Sequence, residues 1–216
     1  MRLSEIEFGS FLSYSPWGKS KEAMSSRTVR SQLKGDEHIE PSNTPMSTLI
    51  AENIKKNFEN LEFANLFKEN TILVPTPNSS LRRSDSLWVP QRLARALVKE
   101  GLGKDSVECL SRITPIRKAA TSPASERPKA EEHYETMGIV KTLDEHNEIL
   151  LVDDVVTRGA TLLGAANKLA DEFPNARIRA FAAMRTISNP AEFVRIIDPC
   201  IGSIELGSEN YTFRNP

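Results

Sequence analysis

The run Glu148-Ile-Leu-Leu-Val-Asp-Asp-Val-Val-Thr-Arg-Gly-Ala-Thr-Leu162 decides how this chain folds. Ile149 to Asp153 is apolar up to two adjacent carboxylates, Asp153 and Asp154, the pattern of a strand buried on both faces. A short turn holding Thr157, Gly159 and Thr161 follows. Gly159 to Ala170 then reads as a helix with Leu162, Leu163, Ala166 and Leu169 inward. The first N–H groups of a helix have no internal partner and lie at the positive end of its dipole, so this turn is a cradle for an anion. Gly159 lets the backbone approach a phosphate, and the Thr157 and Thr161 hydroxyls add donors. Carboxylates repel phosphate, so the acid pair should face the neutral hydroxyls of the same ligand. A sugar phosphate meets both demands, by the logic of the acidic residue that holds ribose in dinucleotide folds. The Gly-Lys-Ser/Thr of a Walker A loop is absent.

Outward from this run, Thr71 to Val74 reads as a buried strand ended by the loop Pro75-Thr76-Pro77-Asn78-Ser79-Ser80, because proline cannot donate to a ladder. Leu87 to Lys99 reads as a helix, as does the stretch after Thr44-Pro45 with Leu49, Ile50, Ile54 and Phe58 at helical spacing. Val107 to Leu110, Met137 to Val140 and Ile178 to Met184 read as strands, and Pro190 to Ile197 as a last short helix. The alternation predicts an α/β fold, a mostly parallel sheet flanked by helices. Residues 1–45 read as an N-terminal extension. They carry Phe8, Phe11, Tyr14 and Trp17 and then a basic stretch from Lys19 to Lys34, which suits a flap on a site or a weakly ordered arm. The core spans 46–200 and a tail 201–216.

From Arg112 to Glu132 periodicity disappears, and Arg112, Arg117, Lys118, Arg127 and Lys129 outnumber Glu126 within 112–130. A connection this long is a functional lid or a disordered linker. His133-Tyr134, just after it, reads as a pair that orients the lid or acts in acid/base chemistry, or His133 as a structural histidine.

With 39% hydrophobic and 26% charged residues and a net charge of -1, the chain has a soluble globular composition with no global pull toward nucleic acid or membrane. No apolar run of membrane-spanning length or signal-peptide core appears, which sets the expectation of a cytoplasmic protein. Cys109 and Cys200, each in apolar company, are expected to be buried thiols.

The run from Asp153 to Thr161 resembles the phosphoribosyl-pyrophosphate (PRPP) signature of type I phosphoribosyltransferases, with Arg158 where a second threonine is common. More distantly, residues 71–185 are similar to the competence-protein-F-like, amidophosphoribosyltransferase-like branch, through Val74-Pro75-Thr76-Pro77, Arg82-Arg83, Leu93-Ala94-Arg95-Ala96 and the basic lid. That branch's Arg-Gly-Phe-Asn is replaced by Arg83-Ser84-Asp85-Ser86. The resemblance implies a type I phosphoribosyltransferase fold with a small hood from the chain ends, where Tyr14, Trp17, Tyr211 and Phe213 are candidates to stack on a base. It implies PRPP held by Val155, Val156, Thr157, Arg158, Gly159, Ala160 and Thr161, with Thr76, Pro77, Asn78, Arg82, Arg83 and Arg117 on the pyrophosphate. Asp153, Asp154, Lys118 and Arg127 are the catalytic candidates. Mg²⁺ is the expected cofactor, met by Asp153 and Asp154 directly or through water or ribose hydroxyls.

The leading expectation is a magnesium-dependent transferase moving ribose 5-phosphate from PRPP to a nitrogen nucleophile such as a nucleobase. The alternative is a non-catalytic PRPP or nucleotide sensor, or a partner-binding module in DNA uptake or phage defence. Small molecules are the expected partners, a homodimer is left open, and neither membrane nor nucleic acid is expected. A nucleic-acid reading would gain weight if Arg27, Arg30 and Lys34 shared a face with the lid cations.

Overall fold

The computed structural model describes residues 1–83, 85–117, 122–123, 126–140 and 147–216. In chain order the elements are β1 (Glu5–Tyr14), α1 (Lys21–Gly35), β2 (His38–Ile39), β3 (Thr44–Pro45), α2 (Met46–Lys56), β4 (Ile72–Pro75), α3 (Val89–Lys99) and β5 (Asp105–Ser106). They continue with β6 (Leu110–Arg112), α4 (Ala130–Glu135), β7 (Met137–Ile139), β8 (Glu148–Val156), α5 (Ala160–Glu172), β9 (Arg177–Thr186), β10 (Ile197–Leu206) and β11 (Thr212–Asn215).

The main sheet has the order β11-β10-β1-β9-β8-β4-β5. Strands β1, β9, β8, β4 and β5 run parallel, while β10 and β11 add an antiparallel edge. Two smaller ladders, β2 with β3 and β6 with β7, lie outside it. Successive residues of a strand point to opposite faces, so β8 feeds two cores at once. Ile149 and Leu151 join Leu162, Leu163 and Leu169 of α5 on one face. Leu150 and Val152 join Leu33 of α1, Ile50 and Ile54 of α2, and Leu93 and Leu97 of α3 on the other. The continuous apolar run is the signature of that double burial.

Several expectations need correction. Residues 5–14 are no peripheral flap: β1 is an internal strand between β9 and β10, with Phe8 in one core and Phe11 in the other. Ser10 and Ser13 are buried among its apolar residues, and this broke the pattern by which the strand would have been read. At Gly9 a Cβ would stand 2.7 Å from Phe63 Cβ, so only glycine lets the 61–67 segment close on β1. Lys21–Gly35 is a regular helix, its N-terminus capped by Ser20. The tail is likewise sheet, with Ser203 to Leu206 paired to Thr212 to Asn215. In place of one strand at 107–110 there are two short ones on either side. The expected helix at 190–197 is a single 3₁₀ turn, Pro190–Glu192, before β10 begins. Both Cys109 and Cys200 are buried. Among the described residues no helix is long and apolar enough to cross a membrane.

Candidate functional site

The acid pair sits within β8 because that strand outruns its neighbour. Pairing with β4 ends at Pro75 and Val152, and one further bond, Thr76 N–H to Val152 O at 2.9 Å, closes the ladder. Pairing with β9 continues through Asp153 opposite Ala182 to Val156 opposite Arg185. The edge from Asp153 to Val156 is therefore open on the β4 side, where the proline-containing loop turns away. A cleft of ≈ 1170 Å³ fills that opening, lined by Thr76, Pro77 and Asn78 on one side and by every residue from Asp153 to Leu162 on the other.

Asp154 is buried, and Lys34 at the end of α1 donates to its Oδ1 at 2.7 Å. The neighbouring Asp153 carboxylate accepts from the Asp154 backbone N–H at 2.9 Å. Burial, then the charge of Asp154, pushes the Asp153 carboxyl up to about 7, against the opposing pull of Lys34 and Thr76.

The turn from Thr157 to Thr161 is braced from three directions. Gly159, at φ 88°, adopts a conformation that L side chains rarely take. A Cβ there would stand 2.5 Å from Ile204 Cγ2 of β10. Glycine is thus required for the turn to lie on β10, a reason distinct from the close approach of a phosphate. Arg214 of β11 donates from Nε to Thr157 O at 3.1 Å and from Nη2 to Thr186 O at 2.7 Å. Its burial draws the guanidinium pKa down to about 10, which leaves it charged at neutral pH.

On the third side stands His133, buried in α4. Its Nδ1 lies 3.3 Å from Arg112 Nη2 and its Nε2 3.4 Å from Thr161 Oγ1. Arginine has no acceptor, so Nδ1 must accept and the ring proton must sit on Nε2. Thr161 Oγ1 then accepts from His133 and keeps its own O–H to donate into the cleft. Burial, then the adjacent Arg112 charge, holds the His133 pKa down at about 3, in keeping with a neutral ring. Arg112 also donates to Asn78 O at 3.1 Å and Thr136 Oγ1 at 2.6 Å, so one buried guanidinium ties the loop after β4 to α4.

The structure therefore brings Asp153, Asp154, Val155, Val156, Thr157, Arg158, Gly159, Ala160, Thr161, Thr76, Pro77, Asn78, Arg117 and Arg127 to one cleft. Arg82 and Arg83 do not line it. Arg82 donates to Glu108 at 2.7 Å and lies 4.6 Å over the Trp88 ring, an alternative ion pair that draws it to a different side of the loop. Lys118 lies outside the described residues. Of the stretch expected as a lid, 112–132, Arg112 belongs to β6 and Ala130 to Glu132 belong to α4. Of the aromatic candidates, Trp17 and Tyr211 line the cleft, as does the buried Tyr14, and Phe213 does not. Lys34 and Arg214 were not foreseen as site residues. The basic stretch 19–34 held the only hint of the first, and nothing in the tail pointed to the second. Arg27, Arg30 and Lys34 do share the cleft with Arg117, Arg127 and Lys129.

No family model matches the chain, and no curated protein matches it. Among solved structures, a hypoxanthine phosphoribosyl transferase of Trypanosoma cruzi aligns at a TM-score of 0.34 and 12% identity, covering 76% of each chain. A hypoxanthine phosphoribosyltransferase from Staphylococcus aureus aligns at 0.32 and 10%, covering 76% of this chain and 75% of that one.

Proposed function

We propose that the cleft binds PRPP with Mg²⁺ and transfers ribose 5-phosphate to a nitrogen nucleophile, with release of pyrophosphate. The observation that carries this is the pairing of the open acidic edge Asp153–Asp154 with the helix start at Thr157–Thr161 inside a single cleft. Ribose hydroxyls would donate to the carboxylates. The 5′-phosphate would accept from the N–H groups of the turn and from the Thr161 O–H that His133 leaves unspent. Asn78, Arg117 and Arg127 would hold the pyrophosphate.

In the transfer the bond from ribose C1 to the pyrophosphate oxygen breaks, its electron pair leaving with pyrophosphate, and a C–N bond forms as the acceptor nitrogen gives its proton to solvent or base. Positive charge grows on the ribose carbon in between. The carboxylates and the cations on the leaving group would both favour that distribution. Among the described residues no three His, Cys, Asp or Glu form a metal cage. Two carboxylates beside a polyphosphate fit a Mg²⁺ that arrives with the donor, since this ion keeps phosphate and water ligands. When bound, it would neutralise charge on the departing pyrophosphate.

Calorimetric titration with PRPP and Mg²⁺, paired with pyrophosphate release over a panel of bases, tests the proposal. Tight donor binding without release for any base would remove the transferase and leave a nucleotide sensor. Failure of PRPP to bind would remove both.

A further inference from the structure

We infer that the acceptor is an anionic flat heterocycle whose carboxylate is read by Arg30 while its ring lies on Trp17. This rests on the transfer reaction proposed above.

The sheet order separates the two ends of the reaction. The open edge of β8 has β4 on one side and β9, then β1, on the other. The β4 side carries the pyrophosphate candidates, where Ile116 N–H donates to Ser79 O at 2.9 Å and holds the Arg117 segment against the loop. At the opposite flank β1 ends at Tyr14, and the chain passes through Trp17 into α1. An acceptor that attacks the ribose carbon opposite the leaving group comes from this flank.

Three cations of α1 reach the cleft there, and two have partners. Arg27 donates to Ser15 O at 3.2 Å and Gly18 O at 2.8 Å, and Lys34 is held by Asp154. Arg30 differs. Its guanidinium lies 5.3 Å over the Tyr14 ring, which fixes its position, yet its Nε is buried without a hydrogen-bond partner. Among the described residues Arg30 has no carboxylate within ion-pair distance. The covered Nε stays within the protein, so the Nη groups of Arg30, a residue that lines the cleft, are the ones to meet a ligand, and a carboxylate supplies the planar pair of acceptors that they match. Trp17 lines the same cleft while 73% exposed, an aromatic surface available to a flat ring. A flat ring with an acidic substituent satisfies both residues; a neutral base satisfies only the second.

The test uses matched probes, nicotinate against nicotinamide and orotate against uracil, titrated into protein loaded with ribose 5-phosphate, which cannot turn over. Tryptophan fluorescence gives the readout, with Trp17→Phe as the control for which indole responds. The expected result is binding of the acid at least about tenfold tighter than its neutral partner. That preference should shrink to about twofold or less in Arg30→Gln and survive in part in Arg30→Lys, which retains the charge. Equal affinity within both pairs, no binding of any probe to loaded protein, or a preference untouched by Arg30→Gln overturns the inference. So does displacement of the probes by oligothymidylate with a steep salt dependence, which marks a polynucleotide groove. PRPP calorimetry on the same protein separates the two levels: donor binding without acid preference sinks this inference alone, and absent donor binding sinks the proposed reaction.

Discussion

Lys34 Nζ lies 2.7 Å from Asp154 Oδ1, so a residue of the first helix supplies the counter-charge for an acid 120 positions further along the chain. The lysine is 42% exposed and the aspartate only 9%, which places the pair at the cleft wall. Lys34→Met removes the positive charge that restrains proton uptake by Asp153. The acid limb of PRPP binding should then move to higher pH, read by calorimetry from about pH 5 to about pH 9. Stability should drop by about 1 kcal/mol or less, because the exposed lysine is screened by solvent. An unmoved acid limb would show that the pair is incidental to the donor.

Asp153 gives the opposite sign for stability. Its carboxyl titrates near 3.8 when unfolded and near 7 when folded. Between those values the folded state holds the extra proton, so stability falls as pH rises and the cost is complete above about pH 7. Asp153→Asn should therefore be more stable than the parent at pH 8, by about 1–2 kcal/mol once solvent contact is allowed for, and equal to it near pH 4. The same variant should lose donor binding. Urea denaturation at the two pH values checks the first part and PRPP calorimetry the second.

His133 is held neutral, its pKa lowered from 6.5 to about 3. Its contribution is present above the unfolded pKa and fades as pH falls from about 6.5 toward 3. His133→Gln can still accept from Arg112 and donate to Thr161, so it should retain donor affinity while flattening that pH dependence. His133→Leu leaves Arg112 one acceptor short and Thr161 without its orienting donor. It should lose about 1–3 kcal/mol of stability and weaken PRPP binding about tenfold. Equal donor affinity in the two variants would restrict His133 to a packing role.

Gly159→Ala meets both a φ of 88° and the Ile204 side chain. The expected loss is about 2–4 kcal/mol, from backbone strain and overpacking together. In a double-mutant cycle with Ile204→Ala, the combined loss should fall short of the sum by about 1 kcal/mol or more, since the clash disappears with the isoleucine. Simple additivity would mean that strain alone dictates glycine there.

The two arginine groups around the cleft separate by position. Arg82→Ala should change donor affinity by about twofold or less, because its guanidinium is engaged by Glu108 and Trp88. Arg127→Ala should cut pyrophosphate release about tenfold or more, as Arg127 lines the cleft. Steady-state kinetics on both variants decides it.

The sequence by itself determined the strand, acid pair, turn and helix between 149 and 170, though the strand runs on past the acids to Val156. These are one contiguous piece of chain, and periodicity, prolines and the glycine encode neighbours that lie within a few residues of one another. Only the tertiary structure decided what surrounds that piece. Lys34, His133 and Arg214 reach it from 120, 28 and 57 positions away. Arg82 is drawn off by Glu108, and an N-terminal stretch that reads as an appendage inserts as a central strand. Such contacts depend on strand order and register, which arise when two faces of one sheet are buried together, and no local pattern of residues records them.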